Sequence, residues 1–366
     1  MPISRSQVPE EFYDITSAHL LAQPEPQYLY ARLFLRALNI ELGIPTGGIG
    51  RPGYEVSGQG APYTAAEADR LMLSADDMAT EVFAAKADFT GEPGHIMKFN
   101  RPKYANTTYT QASREVGTNQ TITNTPISAS SEQALLQIKR YAGPYDSDNS
   151  RVAPYGLDAF DASMGVHDLS KFVGTHLRRD FHRTVDSFWV TLADLASTTA
   201  YPYGMSANND ATTKGQFPLT YEFISRVSKS QDEANLPTLG DGRRILVVTP
   251  TGKKQLKDDP QFAAYTKDQK DLNPLYPGWF GSTAEYHCFQ SNTLTISANS
   301  SSINIHNGHA IAPGAFLGGR GKTIEVRAAS DDNFGETAKV AWIAYLALGL
   351  ADNRFVTKLS YTEDVS

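Results

Sequence analysis

The sequence contains one cysteine, Cys288, so the chain cannot form an internal disulfide bond. A chain without disulfides is typical of a protein that folds in a reducing compartment. Cys288 lies in an apparent strand over residues 284–290, where a buried, inert thiol is expected. No run of residues approaches the roughly 20 apolar positions that a membrane-spanning helix needs. Residues 1–11 also lack the apolar core of a secretory signal peptide.

An excess of basic charge is also lacking. The chain has 366 residues, with 33 Lys and Arg against 40 Asp and Glu, which gives a formal net charge of -7. Dedicated nucleic-acid binders are normally basic, so this balance argues against that class while leaving local basic faces open. Apolar residues make up 40% of the chain, which is ample for the core of one large or two medium domains.

The nearest match to a phosphate-binding loop is incomplete. The run from Gly318 to Thr323 contains Gly-Lys-Thr, but Phe316 stands where the motif needs its first glycine. A strand is predicted after the lysine, whereas phosphate binding uses the N-terminus of a helix. We therefore expect a flexible turn at this position.

Metal and nucleophile signals are incomplete as well. The segment from Asp146 resembles the start of a calcium loop, but Arg151 takes the position of its glycine. His306 and His309 are near enough in sequence to share a metal ion, with His287 as a third ligand. The Asn-Gly between the first two predicts a tight turn that would not fix both rings. No Gly-x-Ser-x-Gly motif occurs. The sequence therefore predicts no catalytic, cofactor-binding or metal-binding residue.

What the sequence does have is a long polar stretch between two apparent strands. Residues 104–131 are mostly Thr, Ser, Asn and Gln, with too few large apolar side chains to bury a core of their own. Their Thr and Val content favours extended backbone. Strands are predicted on either side, over residues 96–100 and 135–141. We therefore expect residues 104–131 to form an arm that packs against another molecule.

A single long amphipathic helix is predicted over residues 166–196. Apolar side chains recur there every three or four residues and form one stripe. These positions are Leu169, Phe172, Val173, Leu177, Phe181, Val185, Phe188, Leu192 and Leu195. Basic side chains lie mostly away from the stripe. A solvated helix face is the simplest interpretation, and contact with nucleic-acid backbone or a neighbouring subunit is the alternative.

The other predicted elements mix helices and strands. Shorter helices are predicted over residues 28–42, 64–83, 219–234 and 250–257. Strands are predicted over residues 244–249, 285–289, 293–296, 323–328 and 355–359, the second and third as a hairpin. The continuous apolar run of residues 244–249 favours a buried central strand. Residues 338–348 suit a strand or a helix, and residues 318–359 are expected to form an antiparallel sheet beside the long helix.

Three local segments are similar to parts of one known family. Residues 245–250, together with residues 256–260 and Phe262, resemble the strand and helix of its axial domain. The run Gly278-Trp279-Phe280-Gly281 resembles the segment that follows. Trp342, Tyr345 and the run Arg354-Phe355-Val356 resemble its closing strands.

With the order of arm, long helix and mixed α/β region over residues 87–356, these segments resemble the major capsid proteins of tailed bacteriophages, the Hong Kong 97-like fold. The resemblance implies an α+β fold with an N-terminal arm, an extended hairpin loop, a long spine helix, an axial α/β domain and a peripheral antiparallel sheet. The implied divisions are 1–90 for the N-terminal arm and helical region, 91–145 for the extended loop, 146–197 for the spine helix and part of the peripheral domain, 198–317 for the axial domain, and 318–366 for the peripheral sheet and C-terminus.

The function that the resemblance implies is structural. Subunits would assemble as hexamers and pentamers into an icosahedral shell around double-stranded DNA. The packaged DNA would contact the subunits non-specifically. Implied partners are other copies of the chain and scaffolding, portal and cement proteins, with no membrane and no cofactor. The implied location is the virion, assembled in the host cytoplasm. Two alternatives stay open: an encapsulin-like compartment that encloses enzyme cargo, and a hydrolytic enzyme with an unrecognised site.

Two groups of residues are the candidate functional surfaces. Within the extended loop, the residues expected to contact neighbouring subunits are Tyr104, Tyr109, Arg114, Glu115 and Val116. On the long helix, the residues expected to face DNA are Lys171, Arg178, Arg179 and Arg183.

Overall fold

The computed structural model describes residues 28–41, 75–86, 96–101, 132–144, 155–158, 169–196, 198–208, 217–266, 278–298, 303–330 and 337–363. The helices in these ranges are α1 (Leu29–Glu41), α2 (Ala75–Val82), α3 (Leu169–Asp194), α4 (Tyr221–Glu233), α5 (Pro250–Asp258) and α6 (Pro260–Thr266). The first strands are β1 (Phe83–Lys86), β2 (Ile96–Arg101), β3 (Glu132–Gln137), β4 (Lys139–Gly143), β5 (Tyr155–Asp158), β6 (Thr198–Ala200) and β7 (Arg244–Val248). The later strands are β8 (Trp279–Ser282), β9 (Tyr286–Gln290), β10 (Ile296–Ala298), β11 (Asn304–Ile311), β12 (Phe316–Ser330), β13 (Thr337–Leu350) and β14 (Val356–Thr362).

A five-stranded sheet is built on the long antiparallel pair β12 and β13. The strand order is β1-β12-β13-β4, and β5 also pairs with β13. Residues 338–348 are therefore a strand, which was one of the two predicted alternatives. The expected turn over residues 318–323 is wrong, because these residues lie inside β12 and pair with β13.

A seven-stranded sheet has the order β6-β14-β11-β7-β9-β8, with β10 paired to β11. The predicted central strand is confirmed: β7 lies between β11 and β9, and all five of its residues are buried. The helix that follows is also confirmed, with Thr249 capping it by accepting a hydrogen bond from the backbone N–H of Gly252 at 3.3 Å. Strand β14 pairs with β11 and β6, so the prediction that residues 355–359 close the sheet beside the long helix is wrong.

An aromatic core joins the N-terminal elements to the rest of the chain. Phe34 on α1 lies 5.1 Å from Trp189 on α3, measured between ring centroids. Phe83 on β1 lies 5.0 Å from both Trp189 and Phe316. All four rings are buried. Helix α1 and strand β1 are thus structural members of the core.

The long helix is confirmed over Leu169–Asp194, and at 1.5 Å per residue its 26 residues span about 39 Å. Its predicted stripe is buried at Leu177, Phe181 and Val185. The last predicted stripe residue is wrong: Leu195 lies beyond the helix end and is 66% exposed. Among the described helices, none is both long and apolar enough to cross a membrane.

Other differences concern where strands begin and pair. The helix predicted to reach Phe83 ends at Val82, because Phe83 pairs with Phe316 as the first residue of β1. The predicted strand over residues 135–141 is divided at Ile138 into β3, which pairs with β2, and β4, which pairs with β13. The predicted hairpin of residues 285–296 is wrong, since β9 pairs with β7 and β8 while β10 pairs with β11.

Candidate assembly surfaces

The predicted arm is rooted on a two-stranded hairpin. Strands β2 and β3 pair antiparallel from Ile96 opposite Gln137 to Arg101 opposite Glu132. Residues 102–131 and the loop residues Tyr104, Tyr109, Arg114, Glu115 and Val116 lie outside the described residues. The structure therefore describes the root of the arm, and the roles of the five loop residues stay a prediction.

One face of the hairpin root packs on the five-stranded sheet. Met97 and Phe99 are buried against Leu317 and Ala347. Residues alternate across a strand, so Ile96 and Lys98 point to the opposite side. Both of these residues are exposed. The hairpin root is therefore fixed to the subunit by one face and free on the other.

Two glycines of the five-stranded sheet allow the hairpin root to pack closely against it. A Cβ atom built at Gly319 on β12 would collide with the Sδ of Met97, and one at Gly349 on β13 would collide with Cδ2 of Leu136. The neighbouring Gly318 faces the other side of the sheet, where a Cβ would lie 2.5 Å from Phe34. The glycine run that resembles a phosphate loop thus has a packing role on both faces of β12.

The outer face of the hairpin root presents large apolar side chains to solvent. Ile96 on β2 is 45% exposed and Leu135 on β3 is 58% exposed. The register places Leu135 opposite Lys98, so the two apolar side chains are diagonal neighbours on one surface. Such a pair is suited to burial against another protein surface.

The spine helix α3 is anchored to the five-stranded sheet by a polar contact. The indole N–H of Trp342 on β13 donates to Oδ2 of Asp180 at 2.7 Å. Burial raises the pKa of Asp180 above its usual value, although this hydrogen bond and the charge of Arg183 oppose the rise. Phe181 packs edge-on against the same Trp342 ring, with centroids 5.2 Å apart.

The basic residues of α3 do not form a single surface. Arg179 and Arg183 are exposed and lie one helical turn apart, in a row that continues through the exposed Ser187 and Thr191. Arg178 is half-buried and lies off this row. Lys171 is within the helix, and its side chain is outside the described set. The structure thus brings together two of the four predicted residues.

A serine, a histidine and an aspartate form a hydrogen-bonded chain at the edge of the seven-stranded sheet. Oγ of Ser282 lies 2.8 Å from Nδ1 of His287, and Nε2 of His287 lies 2.6 Å from Oδ2 of Asp241. Burial alone would raise the pKa of Asp241, but the contacts with His287 and Arg243 together lower that pKa. The indole N–H of Trp279 donates to the same Ser282 oxygen at 3.0 Å.

This chain of side chains ties the turn at Asp241 to strands β8 and β9. A serine nucleophile must be accessible to its substrate. Ser282 is only 5% exposed and already accepts a hydrogen bond. The geometry therefore supports a structural role for the three residues.

The three histidines that suggested a metal site each have a carboxylate partner of their own. His287 contacts Asp241, His306 contacts Glu363 at 3.0 Å, and His309 contacts Asp194 at 3.2 Å. The turn expected between His306 and His309 is wrong, because both residues lie in β11. Within the described ranges, no three His, Cys, Asp or Glu side chains converge as a metal site requires.

Sequence patterns did not single out two aspartates of the spine helix, Asp180 and Asp186. Asp186 is fully buried beside the apolar stripe, and Asp180 is partly buried. The available signal was a carboxylate next to stripe positions such as Phe181 and Val185, since buried carboxylates need hydrogen-bond partners.

No family model matches the sequence, and no curated protein sequence matches it significantly. Solved structures do match the fold. A chain of the capsid of Ralstonia phage GP4 aligns over 86% of this chain and 97% of that chain, with a TM-score of 0.50 and 12% sequence identity. A chain of the Cyanophage Pam1 capsid asymmetric unit aligns over 77% of this chain and 89% of that chain, with a TM-score of 0.50 and 9% identity.

Both of these solved structures are phage capsids by their titles. The chain is similar to them in fold over most of its length, although the sequences share little. The protein therefore has the α+β Hong Kong 97-like fold.

Proposed function

We propose that the protein is a major capsid protein of a tailed bacteriophage, which assembles as hexamers and pentamers into an icosahedral shell around double-stranded DNA. The observation that carries the proposal is the likeness in fold to phage capsid chains over nearly the whole chain. A shell protein needs surfaces that contact other copies of the chain rather than a pocket. The outer face of the hairpin root offers one exposed apolar surface for such contact.

In this proposal the extended loop between β2 and β3 lies across a neighbouring subunit. The fixed inner face of the root, with Met97 and Phe99 buried, sets the direction in which the loop leaves the subunit. Ile96 and Leu135 on the outer face, together with the five predicted loop residues, then contact the neighbour. Each contact buries surface that an isolated subunit leaves in water, so shell stability depends on assembly.

The two sheets correspond to the two domains of such a subunit. The seven-stranded sheet with α4, α5 and α6 is the proposed axial domain, which meets its copies at the centres of hexamers and pentamers. The five-stranded sheet with α3 is the proposed peripheral domain. The proposed divisions follow the predicted boundaries with three exceptions. Strand β14, within residues 318–366, joins the axial sheet. Strands β1, within residues 1–90, and β4, within residues 91–145, join the peripheral sheet.

The proposed partners of the shell are scaffolding, portal and cement proteins, and its proposed location is the virion, after assembly in the host cytoplasm. The protein needs no catalytic activity in this role. The polar loop and the apolar hairpin root support contact with protein surfaces, and the exposed Arg179 and Arg183 support non-specific contact with DNA phosphates.

Electron microscopy of the purified protein, alone and with the product of a neighbouring scaffolding gene, tests the proposal. We expect closed shells of uniform size or rings of six and five subunits. Particles from infected cells should contain DNA, whereas enzyme cargo in its place would indicate an encapsulin-like compartment. A chain that stays monomeric under both conditions would contradict the proposal.

Charge reversal at Arg179 and Arg183 should reduce DNA retention several-fold and leave shell formation unchanged. The reason is that phosphate contacts depend on positive charge and weaken with salt, whereas exposed row positions contribute little to folding. The measurement is the DNA content of purified particles at 50 and 200 mM salt, for the double variant Arg179→Glu, Arg183→Glu.

The matched control reverses the same number of charges on other helices, at the exposed Lys229 of α4 and Lys254 of α5. This control should retain DNA as the wild type does. Equal DNA content in the arginine variant and the wild type would mean that Arg179 and Arg183 face solvent and do not contact DNA.

A further inference from the structure

The spine helix provides the cap for the N-terminal helix. Oδ1 of Asp186 accepts a hydrogen bond from the backbone N–H of Ala31 at 2.9 Å, across 155 positions of sequence. The backbone N–H of Tyr30 also donates to this carboxylate. Both N–H groups belong to the first turn of α1, whose amide groups have no partner inside the helix. The helix dipole favours a carboxylate at this end of a helix, whereas full burial without a contacting cation among the described residues opposes its ionisation.

A second contact fixes the same helix turn to the seven-stranded sheet. The hydroxyl of Tyr30 lies 2.6 Å from Nδ1 of His309 on β11. Nε2 of His309 lies 3.2 Å from Oδ1 of Asp194 on α3. His309 thus joins Tyr30 of α1 to Asp194 of α3 through its two ring nitrogens.

The surroundings of these groups come from five parts of the fold. Thr293, in the turn before β10, donates its hydroxyl proton to Asp186. Asp194 also accepts from Thr295 at 2.7 Å and pairs with Lys358 of β14 at 3.3 Å. The titratable or charged groups of this cluster besides Asp186 are thus Tyr30, Asp194, His309 and Lys358. The two helices also bury Arg32 and Arg36 on α1 and His182 on α3.

Asp186 is the carboxyl group of this cluster whose pKa is raised above its usual value. It is fully buried, and the donors that contact it in the described residues are two backbone amides and one hydroxyl, all of them neutral. Burial raises the pKa of Asp186 to about 7, and these hydrogen bonds offset only part of the rise. Burial alone would also raise the pKa of Asp194, but the contacts with His309, Thr295 and Lys358 together keep the pKa of Asp194 below its usual value.

We propose that Asp186 and Tyr30 form a protonation-controlled latch, which holds helix α1 on the spine helix and the seven-stranded sheet and loosens when the Asp186 carboxyl ionises. The protonated carboxyl still accepts from the α1 amides through one oxygen. The ionised carboxylate has no cation in contact among the described residues, and water outside the fold solvates it better. The latch is a property of the single subunit and does not depend on shell assembly.

The direction of the pH effect follows from the sign of the pKa shift. A carboxyl group whose pKa is raised in the folded state binds more protons there than in the open state. Its contribution to stability is present at low pH and is lost as the pH rises through the folded pKa. With an open-state pKa of 3.8 and a latched pKa of about 7, local opening of α1 should increase about tenfold between pH 6 and pH 8.

Hydrogen exchange of the full-length chain tests this inference. The measured quantity is the protection of the amides of residues 29–41 from pH 5 to pH 8, corrected for the intrinsic exchange rate. We expect opening of α1 to increase about tenfold between pH 6 and pH 8 in the wild type. Asp186→Asn keeps the size and one acceptor oxygen of the protonated carboxyl, and it should abolish this increase.

Two control variants separate the latch from general effects. Asp180→Asn removes another carboxyl of the same helix with a raised pKa, one that contacts Trp342 rather than α1, and should keep the wild-type increase. Tyr30→Phe keeps the ring against Phe316 and removes the hydroxyl, so it should lower protection several-fold at every pH without changing the slope.

The proposal is overturned when wild-type protection of α1 does not change between pH 6 and pH 8. It is also overturned when Asp186→Asn keeps the wild-type slope, or when Asp180→Asn removes it. Should Asp186→Asn fail to fold, the wild-type slope and the Asp180→Asn control decide between the latch and another titrating group. None of these outcomes depends on whether the protein forms shells.

Discussion

Excision of residues 104–131 should leave a folded subunit that forms no closed shells. The residues between β2 and β3 are polar and cannot bury a core of their own, so their removal costs the subunit little stability. The hairpin root still packs on the five-stranded sheet through Met97 and Leu136. Residues 102 and 103 with an inserted Asn-Gly make a four-residue connection between the paired residues Arg101 and Glu132, a common hairpin length. Circular dichroism and thermal unfolding report on the fold, and electron microscopy reports on assembly.

A second variant separates loop length from loop chemistry. Replacing residues 104–131 by a Gly/Ser segment of the same length keeps the chain connection and removes the side chains, including Tyr104 and Tyr109. We expect this variant to fold and to form no shells, as the excised variant does. Normal particles from either variant would show that the loop is dispensable for assembly.

Phe34→Ala should lower the free energy of unfolding by about 3–5 kcal/mol, the usual cost of removing a buried aromatic side chain. The large effect follows from the position of Phe34, whose ring contacts Trp189 and lies above Gly318 of β12. Truncation leaves a cavity at the junction of α1, α3 and the five-stranded sheet. The measurement is urea unfolding of the full-length chain, followed by Trp fluorescence.

Tyr203→Ala is the matched control, because Tyr203 is 88% exposed on a turn after β6. It removes a similar ring and should change the free energy of unfolding by at most about 0.5 kcal/mol. Equal stabilities of the Phe34 and Tyr203 variants would mean that α1 does not belong to the core of the subunit in solution.

Local sequence patterns predicted the helices and strands that are determined by neighbouring residues in the sequence. The 3.6-residue periodicity gave the spine helix to within a few residues, because one face of it packs against the core. The run from Arg244 to Val248 was recognised as a central strand because it is apolar on both faces. Thr249 and Pro250 marked the start of α5, since a capping hydroxyl and a proline suit that position.

Partner strands could not be predicted in the same way, because pairing depends on residues far away in sequence. Residues 285–296 look like a hairpin by composition, but β9 is taken by β7 and β10 by β11. Glycines in β12 predict a turn until Met97 and Ile138 are known to occupy the space above Gly319 and Gly321. The alternation of apolar and polar side chains along β14 also could not show which of the two sheets this strand joins.

The candidate surfaces were predicted in part. Arg179 and Arg183 were found from their helical spacing, whereas the half-burial of Arg178 depends on tertiary contacts. Asp186 escaped notice because its partners are backbone amides of α1, and no sequence pattern marks an amide that lacks a partner. The polar composition of residues 104–131 predicted an arm, and the structure adds the fixed root from which it leaves.

The place of β14 in the seven-stranded sheet has a consequence for synthesis on the ribosome. Strand β14 lies between β6 and β11, although it is translated after every other strand of that sheet. A nascent chain that still lacks β14 leaves one edge of β11 unpaired and leaves β6 without its partner strand in this sheet. Unpaired strand edges of this kind invite wrong partners. Ribosomes that stall or terminate early therefore release chains with an open sheet, which chaperones and proteases can distinguish from finished subunits.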